Sequence, residues 1–144
     1  MKLSDCINFL LTVSQHEVFL RFSSQLSPYG ITPGQYGVLN VLWQSEKGIA
    51  TPKEIANILR LETSTISSVL DKMQKLGLVH RTLDENDRRS IRVEPTEAGW
   101  AIRDDVLKTI EELNDEFSTS FTQREWEELR LFLKKLGKVE DVDI

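Results

Sequence analysis

Apolar residues recur at helical spacing over most of the chain and switch to strand-like runs only between 78 and 93. The first helix is expected from about Ser4 to Leu26. Its apolar positions are Leu3, Ile7, Phe9, Leu10, Leu11, Val13, Val18, Phe19, Leu20, Phe22 and Leu26. That stripe is wider than one face of a monomer needs, so a partner chain is one way to bury it. Ser27-Pro28-Tyr29-Gly30 breaks the pattern. Thr32-Pro33 restarts it, with Thr32 as N-cap and proline at the first helical position. Val38, Leu39, Val41, Leu42 and Trp43 make this second helix a core element, ending near Ser45. A loop follows at 46–48, and Ile49-Ala50 fits a minimal strand.

The stretch from Thr51 to Val93 organises the rest. Thr51-Pro52-Lys53-Glu54 is a capping box that opens a short helix packing through Ile55, Ala56 and Leu59. After the turn Arg60-Leu61-Glu62 comes a second helix, about Glu62 to Leu76. Its stripe is Ile66, Val69, Leu70, Met73 and Leu76. The opposite face carries Ser64, Ser67, Ser68, Asp71, Lys72 and Lys75. Gly77 stands where a helix C-terminus favours glycine. Strand-like runs at 78–82 and 90–93 flank the turn cluster Asp84-Glu85-Asn86-Asp87 and a basic tip, Arg88-Arg89. Helix, turn, helix and a basic hairpin predict a winged helix. Beyond it, Thr96-Glu97 caps a long fifth helix with Ala98, Ile102, Val106, Ile110, Leu113 and Phe117 on one side. Thr122 and Glu125 box the last helix, which carries Trp126, Leu129, Phe132, Leu133 and Leu136. Lys134, Lys135 and Lys138 suit the negative end of that helix dipole, and the acidic tail from Val139 is expected to fray.

The fold class is therefore mainly α with a small β-wing. We expect an N-terminal dimerisation helix over 1–31, a winged helix-turn-helix over 32–95, and helices completing the dimerisation region over 96–144. A chain of 144 residues can bury such a core without staples. A lone Cys6 excludes an internal disulfide framework, and there is no zinc-spaced Cys/His cluster. No nucleophile with a base, phosphate loop or metal motif appears, so neither catalysis nor a cofactor is expected. The absence of an apolar run of about 18 residues and of a signal-peptide pattern points to a cytoplasmic protein with no membrane partner.

The net charge of −5 looks wrong for a protein that meets DNA. Its distribution reverses that impression. From 47 to 92 there are nine Lys or Arg against six Asp or Glu, a local charge of +3, and the remainder carries −8. Phosphates respond to charge within a Debye length of about 8 Å rather than to the total.

These residues together resemble the multiple-antibiotic-resistance regulator (MarR) family of bacterial transcription factors. The likeness rests on Ile31-Thr32-Pro33-x-Gln35-Tyr36-x-Val38-Leu39, Glu54-Ile55-Ala56-x-x-Leu59-x-Leu61, Ser64-Thr65-Ile66-Ser67 and Lys75-x-Gly77-Leu78-Val79. The wing Asp84-x-x-Asp87-Arg88-Arg89 and the return Val93-x-x-Thr96-Glu97-x-Gly99 complete it, so it covers nearly the whole chain. The resemblance implies a triangular homodimer whose two lobes read a pseudo-palindromic operator in double-stranded DNA. It also implies repression relieved by a small molecule or an oxidant.

Roles follow for individual residues. Thr63, Ser64, Thr65, Ser67 and Ser68 are candidates for groove contacts, with Thr63 or Ser64 alternatively capping the helix. Lys72 and Lys75 are candidates for phosphates. Arg60 stands where the family often has glycine. A left-handed arginine there costs roughly 1 kcal/mol, which a phosphate contact offsets. The family often has arginine at Thr63 and Ser68, so here the grip shifts to the wing. Arg88 and Arg89 suit a narrow minor groove, with Asp87 orienting one of them by a salt bridge. For an aromatic carboxylate or phenolic ligand, the candidates are His16, Arg21, Tyr36, Trp43, Trp100 and Arg103. Cys6 raises organic-hydroperoxide sensing as an alternative. That branch of the family carries its cysteine nearer Asn8, with tyrosines falling near Thr12 and Phe22. A second alternative is a winged helix used only for protein interaction.

Overall fold

The computed structural model describes residues 1–87 and 89–140. Arg88, one of the two wing-tip arginines, and the last four tail residues lie outside them. Among the described residues seven α-helices and one hairpin follow in order. They are α1 (Ile7–Leu26), α2 (Pro33–Gln44), α3 (Pro52–Leu59), α4 (Thr63–Lys75), β1 (Val79–Leu83), β2 (Ile91–Pro95), α5 (Glu97–Ala101), α6 (Arg103–Ser118) and α7 (Gln123–Gly137).

Local chemistry fixes the boundaries. Thr32, Thr51 and Thr122 each accept the amide of the residue three on, while Gln35, Glu54 and Glu125 each reach back to the cap amide. These reciprocal bonds satisfy amides that a helix start leaves without partners. Most boundaries shift by a residue or two from the sequence reading, and two departures matter more. The expected first helix begins at Ile7, because Leu3–Asp5 forms a separate 3-10 turn. The expected long fifth helix is interrupted at Ile102, whose φ of −87° and ψ of −5° leave the helical ladder for one residue.

The core lies under the helix-turn-helix. Val38, Leu39 and Leu42 of α2 meet Ile55 of α3 and Ile66, Leu70 and Met73 of α4, all fully buried. Val79 and Val93 close it from the hairpin, with Leu26 and Val106 at its edges. Each such side chain contributes about 1.5–3 kcal/mol by leaving water. Leu76, read as part of the α4 stripe, is instead exposed just past the last helical turn.

The hairpin is antiparallel, with Val79 opposite Pro95, Arg81 opposite Val93 and Leu83 opposite Ile91. Ala50 adds a one-residue third strand by exchanging both backbone hydrogen bonds with Val93. Strand alternation sends Val93 inward and points Arg92 the other way.

The helices from the two chain ends are built differently. Only Leu26 of α1 is buried, and no residue of α7 is. In this chain α1 leans on α6 through stacked Phe22 and Phe117 rings, 6.3 Å apart, and an ion pair from Arg21 to Glu116. Most of the apolar surface of α1 and α7 stays open, including Ile7, Leu10, Phe19 and Leu20 on α1 and Phe132, Leu133 and Leu136 on α7.

Candidate nucleic-acid interface

The core stripe of α4 decides what its other face can do. With Ile66, Leu70 and Met73 inward, Thr63, Ser64, Thr65, Ser67, Ser68, Lys72 and Lys75 all face solvent. Glu62 occupies the N-cap without a side-chain bond, so neither Thr63 nor Ser64 caps the helix. Hydroxyls in helices commonly bond back to the preceding turn. Thr12 does so on Asn8, and Ser45 on Val41. Among the described residues no such bond ties the α4 hydroxyls, which leaves their donors and acceptors to an incoming partner. Nor do Lys72 and Lys75 have an ion pair among those residues.

One position went unnoticed in the sequence. Arg81, on β1, donates to Asp71 Oδ1 at 2.6 Å and to Gln74 Oε1 at 2.8 Å, both on α4. It fixes the rotation of α4 against the wing and neutralises an acid beside Lys72 and Lys75. Arg81 reads in the sequence as an exposed strand residue, because its two partners lie seven and ten positions earlier on a different element.

The wing tip is shaped by two side-chain turns. Asp84 accepts the amide of Asn86 at 2.8 Å, and Asp87 accepts the amide of Arg89 at 3.0 Å. Asp87 was expected to form a salt bridge to an arginine. Toward Arg89 its bond is to the backbone, which leaves that exposed guanidinium free of it.

Arg60 is left-handed, with φ 54° and ψ 44°, as its place at the end of α3 demands. Arg60 is exposed, yet its guanidinium bonds within the chain. It donates to the carbonyl of Gly137 and, at 2.5 Å, to that of Lys138, at the end of α7.

The six ligand candidates differ in their surroundings. His16 is exposed on α1. Arg21 holds Glu116 at 2.9 Å. That hydrogen bond comes first in raising the guanidinium and in lowering the carboxyl from its ordinary value. Tyr36 is half-buried; burial pushes its phenol up, partly offset by a hydrogen bond from Asn40. Trp43 is in the core at 7% exposure, and its indole N–H donates to the carbonyl of Gly99. Trp100 lies over Gly48, so closely that an added Cβ would collide with the ring. Among the described residues Arg103 pairs with its neighbour Asp104, at 3.7 Å. An open cleft of about 480 Å³ lies elsewhere, between Glu46, Lys47, Glu54, Ile58 and Arg92. Cys6 is a free, partly buried thiol at the N-cap of α1. Among the described residues no helix is long and apolar enough to cross a membrane.

Comparison with known proteins bears on this geometry. Residues 29–90, the stretch from the α1–α2 turn to the wing, match the family model described as the MarR family. The chain is 32% identical over 107 residues to the organic hydroperoxide resistance transcriptional regulator of Bacillus subtilis, covering 74% of this chain and 71% of that protein. Its fold is similar to CouR from Rhodococcus jostii RHA1 bound to p-coumaroyl-CoA. There the TM-score is 0.81 and the identity 27%, with 99% of each chain covered. It is also similar to a mutant MarR from E. coli complexed with operator DNA. That likeness has a TM-score of 0.84 and 25% identity, over 94% of this chain and 98% of that one.

Proposed function

The chain belongs to the MarR family of transcriptional regulators, and from that premise we propose that it is a cytoplasmic repressor. In this reading a homodimer binds a pseudo-palindromic operator and a small aromatic or phenolic ligand releases it. One observation carries the DNA contact: the outward face of α4 holds hydroxyls and two lysines without intramolecular partners among the described residues, beside an exposed wing-tip arginine. Hydroxyls and lysines are groups that read base edges and phosphates. In a helix-turn-helix, residues at the start of the second helix enter the major groove. The open apolar surface on α1 and α7 supports the second copy. Two-fold symmetry then sets half-sites about one helical turn apart. Selection from a randomised duplex library tests the reading. An inverted repeat enriched over rounds is expected; enrichment of no sequence, with no salt-dependent binding, favours the protein-interaction alternative.

The structure of CouR holding p-coumaroyl-CoA supports an aromatic effector. Because most of the apolar surface of α1 and α7 is open in one chain, the pocket in this reading includes surface from the second copy. A thermal-shift screen with aromatic carboxylates and phenols tests it, since a ligand raises the melting temperature by linkage. The likeness to the Bacillus subtilis hydroperoxide regulator favours a second reading, in which oxidation of Cys6 releases DNA. Peroxide-driven release that survives in Cys6→Ser removes it.

A further inference from the structure

Two helix ends meet at Arg60. It is the left-handed residue that closes α3, and Lys138 is the left-handed residue that closes α7. The Arg60 guanidinium joins them by donating to the last carbonyls of α7 across 77 and 78 residues of sequence. Both helix ends carry negative partial charge, so a cation between them is favourably placed. The contact also sets where the end of α7 lies. Arg60 stands three residues before Thr63, the first residue of α4. The α7 terminus is therefore held within one arginine side chain of the helix-turn-helix turn. In such a motif the first helix crosses the DNA backbone and the start of the second enters the major groove, and this turn joins the two.

What arrives there is basic. Lys134, Lys135 and Lys138 line one cleft at the end of α7, with Glu140 as its acid. Lys135 and Lys138 are exposed, and no α7 side chain is committed to the core. We propose that the end of α7, clamped to the α3–α4 turn by Arg60, presents Lys135 and Lys138 to backbone phosphates beside the recognition helix. The inference rests on the DNA-binding reading above and extends the interface beyond the winged helix to the C-terminal helix. It makes Arg60 a positioning residue: its guanidinium acts on phosphate through the lysines it places. Lysines that merely offset the α7 dipole would stabilise the helix and leave DNA affinity alone.

Fluorescence anisotropy with a random-sequence duplex, titrated over a range of NaCl, separates these roles. Each lost phosphate contact reduces the slope of log affinity against log salt by about 0.9. Lys135→Gln/Lys138→Gln, which keeps most of each side-chain stem, is expected to weaken binding and lower that slope by about two contacts per protomer. Arg60→Gly keeps the left-handed backbone, frees the end of α7, and is expected to lower the slope in the same sense. An unchanged slope in both variants, with a lowered melting temperature, overturns the proposal in favour of dipole compensation. If Arg88→Ala/Arg89→Ala lowers the slope and the lysine pair does not, the DNA-binding reading stands and this inference falls. If the unmodified protein shows no salt-dependent binding, the DNA-binding reading fails and takes this inference with it.

Discussion

The indole N–H of Trp43 donates to the backbone carbonyl of Gly99 at 3.2 Å, fastening α2 to the short α5. Gly99 is also where backbone passes backbone: a Cβ there would run into the Leu78 carbonyl oxygen and lie 3.1 Å from Pro95. The two residues lock the root of the wing to the core. Trp43→Phe removes the donor and leaves a buried carbonyl unpaired, at a cost of about 2 kcal/mol. Gly99→Ala drives a methyl into main chain that cannot swing aside, and we expect about 3 kcal/mol of destabilisation or more. Urea titrations measure both. A Gly99→Ala protein within about 0.5 kcal/mol of the parent would contradict this close approach.

The ion pair between Arg21 and Glu116 joins α1 to α6 with both side chains near half exposure, so its effect is small. Its pH dependence has a definite sign. The hydrogen bond from Arg21, aided by coulombic attraction and opposed by desolvation, holds the Glu116 carboxyl below its ordinary value. A carboxyl lowered on folding stabilises fully above its unfolded pKa, and that contribution is lost as pH falls through the folded one. The melting temperature of the parent should therefore exceed that of Glu116→Gln at neutral pH. The gap should close as pH drops below the ordinary carboxylate range. A gap that widens on acidification would exclude this pair as its source.

Elements with local signatures were legible. Threonine caps placed α2, α3 and α7, and the stripe of Ile66, Leu70 and Met73 placed α4 to within a residue. The break at Ile102 was not, because one residue near the helical region leaves the apolar period of Ala98, Ile102 and Val106 almost intact. The candidate interface was legible as a set of outward residues, since helix periodicity tells inside from outside. Contacts across distant elements had no such signal: Arg81 bracing Asp71, and Arg60 reaching Gly137 and Lys138. The engagements of the ligand candidates had no such signal either. Residue type marks Trp43, Tyr36 and Arg21 as able to bind an aromatic acid, while side-chain direction, which decides it, is set by the packing of several helices. The aromatic rings went to packing, Trp43 into the core and Trp100 over Gly48.

The open faces of α1 and α7 give a direct test of self-association. Phe132 is 57% exposed in the single chain, on a helix that buries none of its own residues. Obligate homodimer interfaces are apolar, resembling a domain core cut in half. Phe132→Asp puts a charge into that surface and, in a dimer, leaves it buried without a partner. We expect sedimentation equilibrium to show a dimer for the parent and a shift toward monomer for the variant, with the winged-helix core still folded by circular dichroism. A variant that stays dimeric at unchanged affinity would move the interface off α7.

Recognition and grip are expected to separate between α4 and the wing. The first turns of α4 carry hydroxyls and no cation, while Lys72 and Lys75 come later and the sequence puts the arginine pair at the wing. Hydroxyls can discriminate base edges, whereas cations bind every phosphate alike. Ser64→Ala/Ser68→Ala should therefore lower the ratio of specific to random-duplex affinity, with little change in the random-duplex value itself. Arg88→Ala/Arg89→Ala should weaken binding to both duplexes by about tenfold or more and reduce the salt slope. Both variants should remain folded, because none of these side chains on α4 is buried and Arg89 is exposed. Parallel titrations of the two duplexes at several salt concentrations distinguish the roles. If the serine pair reduces affinity for both duplexes equally, those hydroxyls bind phosphate, and the reading of α4 as the specificity element is wrong.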